Sequence, residues 1–207
     1  MTDPLYLNLW FPSFSEAEMM PRLLSVLHQF PFSAVRPGIT YVAVHPISWE
    51  EPTVLEQRFD PGVSPAEAAS AVAEFLHDDY AYVFEAHWDL WAHVDSGAGA
   101  EEEEEDDDAW QIRPSKVRFV VHSSAFEDGA HEDEGHIQVD LGLDAQFLHE
   151  DVELSPGAQR KVQGNLQRLV NFTLAVEKHC GLQARVLWSE SEESLAQKLI
   201  ARLQKVQ

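Results

Sequence analysis

The sequence predicts an α+β protein: a two-layer α/β sandwich with a mainly antiparallel sheet, in which a ferredoxin-like βαββαβ first half is followed by a ββαβα second half. Three observations predict it. Segments in which apolar residues alternate strictly with polar ones recur in both halves, as half-buried strands require. Segments with apolar residues at helical spacing, several of them opening on Ser or Ser-Pro, lie between the strands. A run of acidic residues from Glu101 to Asp108, set among Gly and Ala, then divides the chain near its middle.

Each element has its own reason. "PLYLNLWF" places Leu5, Leu7, Leu9 and Phe11 on one face and Tyr6, Asn8 and Trp10 on the other, a first strand. "EAEMMPRLLSVLHQF" follows a cap serine, Ser13 or Ser15, with an acidic first turn and apolar Met20, Leu23, Leu24 and Leu27, a helix that tolerates Pro21 because the residue comes early. "GITYVAVHPISW" and "TVLEQRF" read as two strands joined by a turn at Glu50-Glu51-Pro52. Ser64, Pro65 and Glu67 combine a cap serine, a first-position proline and a capping box, so a second helix starts at Pro65.

"YAYVFEAHWDLWAHV", residues 80–94, is apolar at every even position, which favours a long, bent strand over the helix its aromatic residues would also allow. "KVRFVVHS" and "HIQVDLGL" alternate in the same way and predict an antiparallel hairpin closed by an acidic loop. A long helix opens on Ser155-Pro156 and ends near Gly181, "QARVLW" is a last strand, and residues 191–206 form a closing amphipathic helix. The domain organisation expected is therefore a half over residues 1–95, a solvated acidic linker over 96–109 and a half over 110–207, the halves packed into one unit.

Composition narrows the function classes. With 36 acidic against 14 basic residues the net charge is −22, and without the acidic run 28 acidic residues still face those 14. Affinity for a phosphate backbone through counterion release is therefore not expected, so nucleic acid is not a partner. One cysteine, Cys180, excludes an intrachain disulfide and any multi-cysteine metal site, as in a reducing cytoplasm. No stretch of about 18 apolar residues predicts a membrane span, and none of the nucleotide-loop, zinc-protease or nucleophile-elbow motifs is present.

Two constellations could carry function. Along residues 80–95 the odd positions set Glu85, His87, Asp89 and His93 on one strand face; imidazole nitrogen with carboxylate oxygen is a ligand set for a divalent metal, here the candidate metal residues of an alternative hydrolase-like reading. Neighbouring positions on a strand face lie about 6.5 to 7 Å apart, so no more than two could share an ion without help from another element. The second constellation is the face that helices would leave open. It gathers Trp10, Tyr41, Trp91, Arg118, His122, His136 and Asp140, and large aromatic residues there call for a cover: a ligand, a partner or a second copy. The reading favoured is a binding or interaction module without a cofactor, whose acidic surface steers it to a basic protein partner. A structural homodimer packed through the open face is the remaining alternative.

Overall fold

In the computed structural model, residues 3–93, 109–148 and 154–189 are described. The acidic run, the rest of the expected 96–109 linker up to Ala109 and the closing helix expected over 191–206 lie outside them. The elements run β1 (Pro4–Trp10), α1 (Glu16–Leu27), β2 (Ile39–Pro46), β3 (Leu55–Arg58), α2 (Pro65–Val72), β4 (Tyr80–His93), β5 (Trp110–His122), α3 (His131–Glu134), β6 (Ile137–Leu143), α4 (Ala145–Leu148), α5 (Pro156–His179) and β7 (Ala184–Ser189). All seven strands join one sheet in the order β3-β2-β4-β5-β6-β1-β7, and every neighbouring pair is antiparallel.

The alternation read from the sequence decides which side of each strand is apolar, and the sheet obeys it. Leu5, Leu7, Leu9, Val42, Val44, Tyr82, Phe84, Phe119, Val139 and Leu141 share one buried face. Against it pack Met19, Leu23 and Leu27 of α1, Ala68 and Val72 of α2, and Leu166, Leu169, Phe172 and Val176 of α5, in a single apolar cluster. Phe30 sits at its centre, with ring contacts to Trp88, Phe119 and Phe172 at 5.1–5.7 Å. The helices start where their caps direct. Ser64 Oγ accepts the Glu67 N–H at 3.2 Å while the Glu67 carboxylate accepts the Ser64 N–H at 2.9 Å. Among the described residues no helix is long and apolar enough to cross a membrane.

The element order of the first half is the ferredoxin-like succession, but its strand pairing is different. β1 pairs with β6 and β7, both from the second half, and with no strand of its own half. Alternation fixes the face a strand buries and leaves its neighbour open; β6 offers β1 a long edge once the β5–β6 hairpin has formed.

The β4–β5 hairpin is longer than the sheet it crosses. Its register is unbroken from Ala81–His122 to His93–Trp110, whereas β2 stops at the Ile39–Ala86 pair and β6 ends on β5 at Arg118–Asp140. Among the described residues no strand lies beside the outer edge of β4 beyond residue 86, and edge N–H and C=O groups cannot be buried unpaired. Side chains and a loop satisfy them instead. Ser33 N–H donates to His87 O at 2.7 Å, Arg168 Nη1 donates to Asp89 O at 2.8 Å, and fully buried Asn165 both accepts the Trp91 N–H and donates to Trp91 O at 2.8 Å. Asn165 interrupts the apolar stripe of α5 because it stands in for a missing strand.

Candidate functional site on the open sheet face

The face turned away from the helices is organised by the register into rows that cross the strands. One row runs Arg58, Tyr41, Glu85, Arg118, Asp140, Tyr6 and Trp188. The next, two residues along each strand, runs Glu56, Ala43, Val83, Val120, Gln138, Asn8 and Val186. The first is charged and aromatic. The second has an apolar middle, in which Ala43, Val83 and Val120 form a small buried cluster with Tyr41 packed on it. Together these rows floor an open cleft of roughly 530 Å³, walled at one end by His45 and Trp49.

Glu85 organises the charges. Its Oε1 accepts from Lys116 Nζ and from Arg118 Nε, both at 3.1 Å, and its side chain is only 12% exposed while the two cations are half exposed. Two cations on one carboxylate oxygen hold both basic side chains over the cleft. Arg58 lies with its guanidinium carbon 5.5 Å from the Tyr41 ring centre, a cation–π contact from the edge strand. Burial, with the nearby carboxylates of Glu56 and Glu85, pushes the Tyr41 hydroxyl above its ordinary range, so it stays protonated and can donate. Asp140 accepts the Gly142 N–H at 3.0 Å through Oδ1.

The end wall is held by a strained backbone. Every non-glycine residue with positive φ among the described residues, Ile47, Glu127 and Asp128, lies in the two loops that meet there. Ile47 is β-branched at φ 61°, a conformation that costs on the order of 1–2 kcal/mol. The loops are locked together: Glu127 N–H donates to Ile47 O at 2.9 Å and Trp49 N–H donates to Glu127 Oε1 at 2.9 Å. The result places the Trp49 ring 4.8 Å from the His45 ring and 5.0 Å from Phe126, with Trp49 still 40% exposed.

Tyr41, Arg118 and Asp140 of the sequence-derived binding face therefore line one cleft. The other four go elsewhere. His122 is on the same face but sealed beneath Trp49 and Phe126; its Nδ1–H donates to Gly135 O at 3.0 Å, Nε2 lies 3.3 Å from Glu134 Oε2, and burial lowers its pKa. His136 accepts the Phe11 N–H at 3.0 Å and stacks on Phe14; burial, then the His131 and His122 charges, lower its pKa to about 4. Trp10 donates its indole N–H to His131 O at 3.0 Å and borders a separate shallow hollow with Ala184 and Val186. Trp91 packs on α5 under Lys161.

The four candidate metal residues are spread along β4. Glu85 belongs to the cleft. His87 is buried, its Nε2 3.4 Å from Arg36 Nη1, and burial followed by the Arg36 charge lowers its pKa. Asp89 accepts from Ser33 Oγ at 2.6 Å and from the Ala34 N–H at 2.9 Å, which ties the loop after α1 to the β4 edge. His93 meets Trp110 edge-on at 5.7 Å. Among the described residues the one group of three whose ligand atoms fall within 4.8 Å of each other is His77, Asp78 and Asp79, on the surface.

Sequence reasoning did not include Arg58, Lys116 or Trp49 in the site. For Lys116 a signal existed, since it shares strand parity with Arg118, whereas Arg58 reaches the face only through the pairing of β3 that sets it opposite Tyr41. Trp49 had none, because only the meeting of two loops brings it there. Comparison with protein-family models, with curated proteins and with solved structures finds no match for this chain.

Proposed function

We propose that this protein is a binding module whose ligand occupies the cleft on the open sheet face. The observation that carries the reading is the pairing of an apolar floor, Val83 and Val120 backed by buried Ala43, with a fixed row of Arg58, Tyr41, Glu85 and Arg118 directly beside it. A site of this kind is concave, has an apolar base and offers a few placed polar groups, which is what ligand recognition requires. Each polar group is held by a neighbour on an adjacent strand, so little side-chain freedom is lost on binding. The strained loops that fix Trp49 add a rim whose conformational cost has no use in the core. The acidic remainder of the chain sets the long-range field that an approaching partner meets.

The test is amide shift mapping by NMR with a panel of neutral, cationic and anionic aromatic compounds, on wild type and on Gln138→Trp, which fills the cleft from β6. The expected result is that at least one class perturbs amides over residues 41–45, 83–85 and 118–120, and that Gln138→Trp removes the effect. Perturbations located elsewhere, insensitivity to the substitution, or no response to any class would overturn the reading.

A further inference from the structure

The cleft also states what it would hold. This rests on the reading of the cleft as a ligand site, and goes on to the chemical class of the ligand. Of the 14 basic residues in a chain of net charge −22, three, Arg58, Lys116 and Arg118, converge on this one cleft, where the carboxylates lining it are Glu85 and Asp140. With Glu56 of the adjoining row counted, cations and carboxylates balance in the cleft, while the rest of the chain carries the whole net charge of −22. Glu85 accounts for Lys116 and for the Nε of Arg118. Among the described residues the two Nη groups of Arg118 make no hydrogen bond, and that pair is the fork that receives an oxyanion in two parallel bonds. The exposed guanidinium is thus anchored at its base and open at its tip.

The neighbouring row supplies the rest. One step along the strands, about 7 Å from the Arg118 position, the floor becomes Val83 and Val120, and a further step reaches the wall made by His45 and Trp49. A ligand with its charge over the first row therefore has its body over an apolar surface and its end against aromatic rings. Size follows from electrostatics. An extended polyanion would carry most of its charge over a surface of its own sign, whereas a compact anion places all of it beside the open tip of Arg118, with Lys116 and Arg58 near it.

We infer that the cleft binds a compact organic oxyanion, a carboxylate or phosphate monoester whose charged group lies within about 7 Å of an aromatic ring, with Arg118 receiving the oxyanion and Val83, Val120 and Trp49 receiving the ring. Lys116 and Arg58 add charge on either side, and Glu85 orients Arg118.

Calorimetric titration with 2-naphthoate, phenyl phosphate, inorganic phosphate, 2-naphthalenemethanol, 1-naphthylmethylamine and an eight-residue thymidine oligonucleotide separates the cases. At least one of the two aryl anions is expected to bind, with affinity falling as salt rises, and to exceed inorganic phosphate and the neutral alcohol at least tenfold. The tighter of the two identifies the head group. Arg118→Gln should weaken that aryl anion at least tenfold and leave any binding of the alcohol within twofold, with thermal unfolding confirming that the variant is folded; Arg58→Gln should weaken it by a smaller factor. If the alcohol or the amine binds the cleft as tightly as the aryl anions, the anion inference falls while the ligand-site reading stands. If the oligonucleotide binds more tightly than phenyl phosphate, the ligand is not compact and the inference is overturned. If no compound of the set binds in the calorimeter and none perturbs the cleft amides by NMR, both fall.

Discussion

Replacing Asn165 by leucine isolates the device that ends the sheet. The two side chains share the same heavy-atom count and branching, so leucine fills the site beneath α5 with only added methyl bulk while three hydrogen bonds are removed: from the Trp91 N–H, to Trp91 O at 2.8 Å, and to Gln146 O at 2.9 Å. Asn165 is fully buried, so the substitution strands one backbone donor and two backbone acceptors where water enters with difficulty. Each such group costs about 1–3 kcal/mol. Trp91 is only partly buried, which places its two groups toward the lower end, and the sum comes to roughly 3 kcal/mol. Against a typical total stability of about 5–15 kcal/mol this is a large fraction, equivalent to a fall in Tm of roughly 6–12 °C. Urea unfolding followed by tryptophan fluorescence measures it, with hydrogen exchange at the Trp91 amide reporting whether the edge has opened. An Asn165→Leu protein within 0.5 kcal/mol of wild type, with the Trp91 amide still protected, would refute the claim that α5 completes the sheet.

Acid should destabilise the fold through two histidines. His136 and His122 both have folded pKa values below the ordinary 6.5, so the unfolded chain takes up protons more readily; their contribution is complete above about pH 6.5 and is lost as pH falls toward about 4, the value for His136. The His136 shift corresponds to at most about 3 kcal/mol, which its partial exposure reduces to about 1–2 kcal/mol. Glu134, whose carboxyl is raised by burial, works in the opposite direction and offsets part of this loss. Urea unfolding at pH 7.5, 6, 5 and 4 should show a steeper decline for wild type than for His136→Phe, and equal slopes would refute the assignment. Gly135 sits at φ +85°, and a Cβ there would lie 2.8 Å from Leu9 N and 3.0 Å from Leu9 O of β1. Gly135→Ala should therefore cost more than 2 kcal/mol in chemical denaturation, whereas Gly62→Ala, at φ +107° with open space around it, should cost only about 1 kcal/mol from backbone strain.

Much of the fold was legible because strand parity and helix capping are local. Leu5, Leu7 and Leu9 determine the buried face of β1 through a two-residue period that needs no knowledge of the neighbour, and the even positions of residues 80–93 favour the strand that β4 forms, although a helix would also have gathered its aromatic residues. Parity also put Tyr41, Arg118 and Asp140 on one face before any pairing was known, and Ser64 with Glu67 marked the start of α2. What parity cannot carry is adjacency. The same alternation suits β1 beside a strand of its own half or between β6 and β7, and the choice depends on which edges the rest of the sheet leaves open.

The site divides along the same line. That His122 and His136 face outward from the sheet was in the sequence, but that loops cover them and lower their proton affinity was not, since burial depends on segments far along the chain. Asn165 looks in sequence like a flaw in an apolar stripe, and only the overhanging β4 edge gives it a purpose. The row of Arg58, Tyr41, Glu85 and Arg118 draws on four strands at once. The sequence by itself determined which residues face the open side, because that is a property of each strand alone; the tertiary structure decided which of them meet, because meeting is a property of the order in which the strands are laid down.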